Sequence, residues 1–181
     1  FLLLLGMVMV YSASIAIAEA SRMASHNPAH YLLRHAVFLA VGLVAAGIAF
    51  QVPLSAWQQL APWLFVAGCV MLMLVLVPGI GRDVNGARRW FSLGPINLQP
   101  SELMKLFAVL YAADYTVRKM PHMQDLKKAF LPMACAMVVV GVLLLKEPDF
   151  GAFVVIISIA IGILFLGGMR ARLFAVLIVV L

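Results

Sequence analysis

The sequence predicts an all-α polytopic membrane protein, and three observations carry that prediction. Hydrophobic residues make up 65% of the 181 residues and charged ones 11%, whereas a soluble domain is about half apolar and about a quarter charged. The mean hydropathy is +1.10. The apolar runs are also continuous and long enough to cross a bilayer as helices, unlike the short alternating segments of a transmembrane barrel. No Gly/Ser linker, charge block or clear repeat divides the chain. Residues 1–181 therefore read as part of a single multi-pass transmembrane domain.

Taken in order, the spans fall at about 1–18, 36–54, 62–80, 102–117, 129–145, 150–168 and 173–181. The first run lacks a basic leader region and is followed by further spans, so it reads as a membrane helix rather than a signal peptide. The sequence opens inside one apolar run and stops inside another, which suggests a piece of a larger protein. Segments 19–35, 81–101 and 146–149 then share one face of the membrane. Segments 55–61, 118–128 and 169–172 share the other. Basic residues are equally numerous on the two faces, but on the second they abut span ends, as in "VRKMPHMQDLKK" and "GGMRAR". That placement is where topogenic charge acts and predicts a cytoplasmic second face and N-terminus.

Much of the polar remainder is ordinary membrane anatomy. Trp57 and Trp63 flank a short loop and suit an interfacial belt. Asn27-Pro28 predicts a cap with proline at the first helical position. Asp114 and Arg118, four apart, predict a snorkelling ion pair. Tyr11, Ser12 and Ser14 suit helix packing. Cys69 and Cys135, isolated on different spans, form no disulfide framework or metal site and read as small core residues. His26, His30 and His35 have a spacing too loose for a zinc site, and no metal ligands are assigned.

The chemistry concentrates in "GARRWFSLGPINLQPSELMK", residues 86–105. Pro100 breaks the chain, Ser101 can cap the next helix, and Glu102 in its first turn meets the positive end of the dipole. Lys105 opposes that dipole about 4.5 Å deeper and points back toward Glu102 at i,i+3. A local ion pair at the interface and the wall of an outward polar pocket both fit, because ionisable residues inside a span usually face a cavity or a partner. Arg88 and Arg89, beside Trp90, suit lipid headgroups and equally suit bidentate phosphate contacts. "KEPDFG", residues 146–151, is a tight turn in which Asp149 can cap the following helix. It also brings Lys146, Glu147 and Asp149 to the face that carries Arg88, Arg89, Glu102 and Lys105, forming one polar cluster over a helical bundle.

"MVYSAS", "NGARRW", "LQPSELMK" and "EPDFG" occur in that order. Together they resemble the SEDS family (shape, elongation, division, sporulation), its division branch more than its elongation branch, over nearly the whole chain. The resemblance implies a ten-helix membrane enzyme of which about seven helices are present here, the seventh incomplete. It implies a peptidoglycan glycosyltransferase that polymerises lipid II at the outer face of the bacterial cytoplasmic membrane, at the division septum. Glu102 and Lys105 match the family's polar pair at the base of an outward cavity. Arg89, Trp90, Gln99, Pro100 and Ser101 match its loop and helix-start motif, and Glu147, Pro148 and Asp149 match its acidic turn. The presumed catalytic base is an aspartate beyond residue 181, so no residue of this chain is named as the base.

In the implied reaction a sugar hydroxyl of lipid II attacks the anomeric carbon of the growing strand and undecaprenyl pyrophosphate leaves. Cations then stabilise the developing charge. Glu102 and Lys105 are candidate supporting catalytic residues. Arg88, Arg89, Trp90, Gln99, Ser101, Glu147 and Asp149 are candidate substrate-binding residues. No cofactor is demanded, and a divalent cation, Mg or Mn, is left as an option. The implied partners are lipid II, membrane lipid, a class B penicillin-binding transpeptidase and other divisome proteins, with no nucleic acid. A lipid II flippase and a non-catalytic divisome scaffold are the rival readings.

Overall fold

The computed structural model describes residues 1–20, 29–84, 86–93, 96–123 and 125–171. The expected Asn27-Pro28 cap, His26 and the run 173–181 lie outside them. The chain divides into two compact units, Phe1–Pro53 and Leu54–Leu181. The first unit holds α1 (Leu2–Ala20) and α2 (His30–Gln51), which pack against one another. α2 buries none of its residues within the chain, leaving an apolar surface suited to lipid. It stops where Pro53 forces the preceding Val52 out of the helical region, to φ −75° and ψ 125°.

The second unit holds α3 (Leu54–Leu76), strands β1 (Gly81–Val84), β2 (Ala87–Leu93) and β3 (Ile96–Leu98), then α4 (Pro100–Lys119), α5 (Leu131–Lys146) and α6 (Phe150–Leu166). His30–Gln51, Leu54–Leu76 and Lys127–Lys146 are long and apolar enough to cross a membrane, and Leu2–Ile15 and Phe150–Leu166 are shorter apolar helices. The protein is thus a mainly helical, polytopic membrane protein. α4 is the most polar of its helices, yet it packs most extensively against α3 and then α6. Met104, Ala108 and Ala112, spaced by four, form its buried stripe.

Without a hydrophobic force between helices in lipid, close approach of small residues must hold such a bundle. Gly68 on α3 lets α4 come so near that a Cβ there would lie 2.5 Å from Met104 Sδ. Gly141 on α5 does the same for α6, since its Cβ would lie 2.8 Å from the Phe153 ring.

Three local expectations change. Residues 55–61, read as a loop, are the first turns of α3, which continues through Pro62. Cys135, read as core, is exposed, while Cys69 is half-buried. Within the polar segment 81–101, for which no strand is expected, Gly81–Val84, Ala87–Leu93 and Ile96–Leu98 form a three-stranded antiparallel sheet in the order β1-β2-β3. Gly86 supplies the turn between the first two strands with φ +78°, a conformation that side-chain-bearing residues resist.

Candidate functional site

The sheet, the start of α4 and the α5–α6 turn meet at one end of the second unit. Pairing between β1 and β2 steps from Arg82–Trp90 to Asp83–Arg88, which leaves Arg89 as the extra residue of a β-bulge. A bulge re-aims its side chain out of the ladder, and Arg89 uses that freedom to reach 58 positions along the chain. Its Nε donates to the Glu147 carbonyl at 2.8 Å, and its Nη2 donates to the Pro148 carbonyl. The planar fork of arginine suits two such acceptors at once.

Asp149 gathers the other partners. Its Oδ1 accepts from the Ala152 backbone N–H at 3.2 Å, capping α6 as the sequence predicts. Its Oδ2 accepts from Ser101 Oγ at 2.8 Å and from Gln99 Nε2 at 3.0 Å. Gln99 Nε2 also donates to Ser101 Oγ at 2.9 Å. The expected capping role of Ser101 is therefore corrected. Gln99 holds the cap position of α4 without a side-chain cap bond, Pro100 follows as the first helical residue, and the Ser101 hydroxyl ties the helix to Asp149 instead.

Glu147 enters the network through its backbone carbonyl, and its carboxyl does not. Its side chain is 0% exposed, and neither Oε1 nor Oε2 has a hydrogen-bond partner among the described residues. Burial, reinforced by the nearby Asp149 charge and opposed by Arg89, raises its carboxyl to about 8.

One helical turn into α4, Lys105 Nζ donates to Glu102 Oε1 at 2.8 Å, with side-chain exposures of 28% and 60%. This is the i,i+3 pair expected, at the head of the helix that Asp149 anchors. Arg88 goes elsewhere, to Asp83 directly across the ladder at 3.8 Å. Trp90 is half-buried on the same strand. The structure thus joins Gln99, Ser101 and Asp149 by side-chain hydrogen bonds, ties Arg89 to the carbonyls of Glu147 and Pro148, and buries the Glu147 carboxyl beside them. Arg88 and Arg89, expected to act together, have separate partners. Sequence reasoning missed Asp83, the partner of Arg88, and missed the bulge, although Asn85-Gly86 is a recognised hairpin signal.

These residues alone form no all-protein cage for a divalent cation, since both Asp149 oxygens are engaged and Glu147 is a single buried carboxyl. Among the described residues no group of three His, Cys, Asp or Glu could hold a metal. At the opposite end of α4, Arg118 Nη2 lies 2.7 Å from Asp114 Oδ2, the ion pair expected, and Tyr115 Oη donates to the Ala129 carbonyl at 2.7 Å.

Comparison with known proteins gives one consistent answer. Residues 1–181 match the FtsW/RodA/SpoVE family, described as cell cycle proteins. The chain is similar to the probable peptidoglycan glycosyltransferase FtsW of Aromatoleum aromaticum, with 62% identity over 99% of this chain and 44% of that protein. The corresponding protein of Burkholderia thailandensis is 56% identical over 98% of this chain and 38% of its own length. The chain spans less than half the length of these relatives. Among solved structures it resembles the rod shape determining protein RodA of Thermus thermophilus, with a TM-score of 0.71, 30% identity and coverage of 94% of this chain and 56% of that one. It also resembles a chain of a peptidoglycan synthase complex described as coordinating polymerisation and crosslinking, with a TM-score of 0.69, 31% identity and coverage of 97% and 52%.

Proposed function

The chain belongs to the FtsW/RodA/SpoVE family of cell cycle proteins, and from that premise we propose that it forms the N-terminal portion of a peptidoglycan glycosyltransferase. The complete protein polymerises lipid II at the outer face of the bacterial cytoplasmic membrane during septal wall synthesis. The names of the relatives support the activity. The observation that carries the site is the Glu102–Lys105 pair, half-open at the head of α4 and anchored there by Ser101 and Asp149.

In this reading the cluster end of the helices faces outward and the N-terminus is cytoplasmic. Lys105, held by Glu102, stabilises the charge that develops on the departing undecaprenyl pyrophosphate. Arg88, exposed and loosely paired, is available to a phosphate, and Trp90 offers a face to sugar or lipid. Arg89, Gln99, Ser101, Glu147 and Asp149 build the wall that holds these groups rather than touching substrate themselves. The proton of the attacking hydroxyl goes to an aspartate outside this chain. A class B transpeptidase and other divisome proteins are the partners, a reading supported by the likeness to a chain of a synthase complex.

The test uses the full-length protein purified with its transpeptidase partner and supplied with lipid II. Glycan polymer forms with the wild type and is lost with Lys105→Ala or Glu102→Ala, both of which still insert into membranes. Headgroup translocation in vesicles without polymer favours the flippase. Intact cell division with both variants favours the scaffold.

A further inference from the structure

Glu147 is a carboxyl group that the proposed chemistry does not use. It sits at the end of α5 with no exposed surface, and both its oxygens are unpartnered among the described residues. A guanidinium is at hand, because Arg89 bonds the backbone carbonyl of the same residue. Yet Arg89 directs its donors to the carbonyls of Glu147 and Pro148, and the carboxyl gets none. An ionised carboxylate buried without a hydrogen-bond donor is among the costliest arrangements a fold can hold, whereas a neutral acid there is tolerable. The next carboxylate, Asp149, already gathers Ser101, Gln99 and the Ala152 amide. A second charge two residues away would repel it.

We propose that Glu147 works as an uncharged carboxylic acid that seats the Pro148–Asp149 turn, and so positions the head of α4 for polymerisation. It is a positioning residue that acts through Asp149 and Ser101 on Glu102 and Lys105. Asp149 on the turn and Arg89 on β2 are the charged groups acting on it. Glu102 and Lys105 on α4 are engaged with each other. When Glu147 loses its proton, the charge must reach water or the guanidinium. Either movement unseats the turn, withdraws Asp149 from Ser101 and frees the start of α4. The raised carboxyl value of about 8 places this release on the alkaline side of neutrality.

The activity readout rests on the polymerase reading, so the experiment carries a second readout that does not. Full-length wild type and Glu147→Gln are compared from pH 6 to pH 10. Lipid II polymerisation is measured with each protein normalised to its own rate at pH 7. Backbone hydrogen exchange is followed over residues 146–153, where the Asp149, Ala152 and Phe153 amides are bonded. One pH unit above the midpoint the neutral fraction is about one tenth, so the wild-type rate falls about tenfold relative to the amide variant. Exchange protection at the turn falls in parallel in the wild type and persists in Glu147→Gln. Matching alkaline limbs for the two proteins, in either rate or exchange, overturn the proposal. Absence of polymer from both at every pH overturns the polymerase reading alone, and exchange then decides this one.

Discussion

Ser101 Oγ donates a 2.8 Å hydrogen bond to Asp149 Oδ2 across 48 positions of sequence, joining the first turn of α4 to the residue that caps α6. One carboxylate thereby fixes the relative placement of two helix N-termini. Asp149→Ala removes the cap and leaves Ser101 and Gln99 without their acceptor, a loss of about 3 kcal/mol. Ser101→Ala removes one donor and costs about 1 kcal/mol. Thermal unfolding of the full-length protein in detergent ranks the two, and equal effects would mean that Asp149 is not the hub.

Arg89 gives a sharper comparison, because its bulged position on β2 serves two carbonyls with one planar group. Lysine at that position carries the charge but lacks the fork, so Arg89→Lys recovers less than half of the stability that Arg89→Ala loses. Full recovery by lysine would show that charge alone matters there. The Ala variant is expected to cost about 2 kcal/mol, as one half-buried and one exposed hydrogen bond to backbone carbonyls are lost.

Two glycines separate flexible from rigid crowding. A Cβ on Gly68 meets the thioether of Met104 at 2.5 Å, the far end of a flexible side chain. On Gly81 it collides with the Val75 carbonyl oxygen, which is backbone at the end of α3. Gly68→Ala is therefore accommodated by a Met104 rotamer change and a shift of a few tenths of an ångström in the Phe107 ring, 3.0 Å away, at about 1 kcal/mol. Gly81→Ala must move the first strand off the helix, and it lowers the yield of folded protein in membranes well below that of Gly68→Ala. Comparable yields would indicate that β1 moves as easily as Met104 does.

The helices were legible because lipid demands long uninterrupted apolar runs, and α5 and α6 lie close to the spans expected at 129–145 and 150–168. The start of α3 was not, because Pro62 and the polar Gln58 and Gln59 read as a boundary while the helix passes through them. The sheet was hidden for a different reason. Its strands are short and the first two carry charge, so the turn dipeptides Asn85-Gly86 and Gly94-Pro95 were the local signals available. In the site, the Glu102–Lys105 pair follows from helical spacing and was legible. The bonds of Arg89 to Glu147 and of Ser101 to Asp149 cross about 50 residues of sequence, and no local pattern encodes them.

Lys105 tests whether the pair at the head of α4 is chemical or structural. Both side chains are partly open to solvent, so the ion pair contributes at most about 1 kcal/mol to stability. Lys105→Ala should leave the unfolding temperature of the full-length protein within a few degrees of wild type, by that same limit. Its polymerisation rate should fall about a hundredfold or more, the scale seen when a preorganised charge donor is removed. Lys105→Met, matched in length, should be as inactive as alanine. A rate loss accompanied by an equal loss of folded protein would assign the pair to structure.

The last expectation concerns the pH dependence of stability. Burial first, and Asp149 next, raise the Glu147 carboxyl from an ordinary 4.5 to about 8. Below the lower value the group is protonated in both the folded and unfolded protein, and it contributes no penalty. Between the two values the unfolded chain releases the proton while the folded chain keeps it, so the unfolded state is increasingly favoured as pH rises. Above about 8 both states are ionised and the loss is complete and constant. Glu147→Gln removes this titration while keeping the shape. Its unfolding temperature relative to wild type should therefore climb with pH through this window and level off above it. An offset that stays flat over the same range would show that Glu147 is charged in the folded protein throughout, and that a donor reaches it.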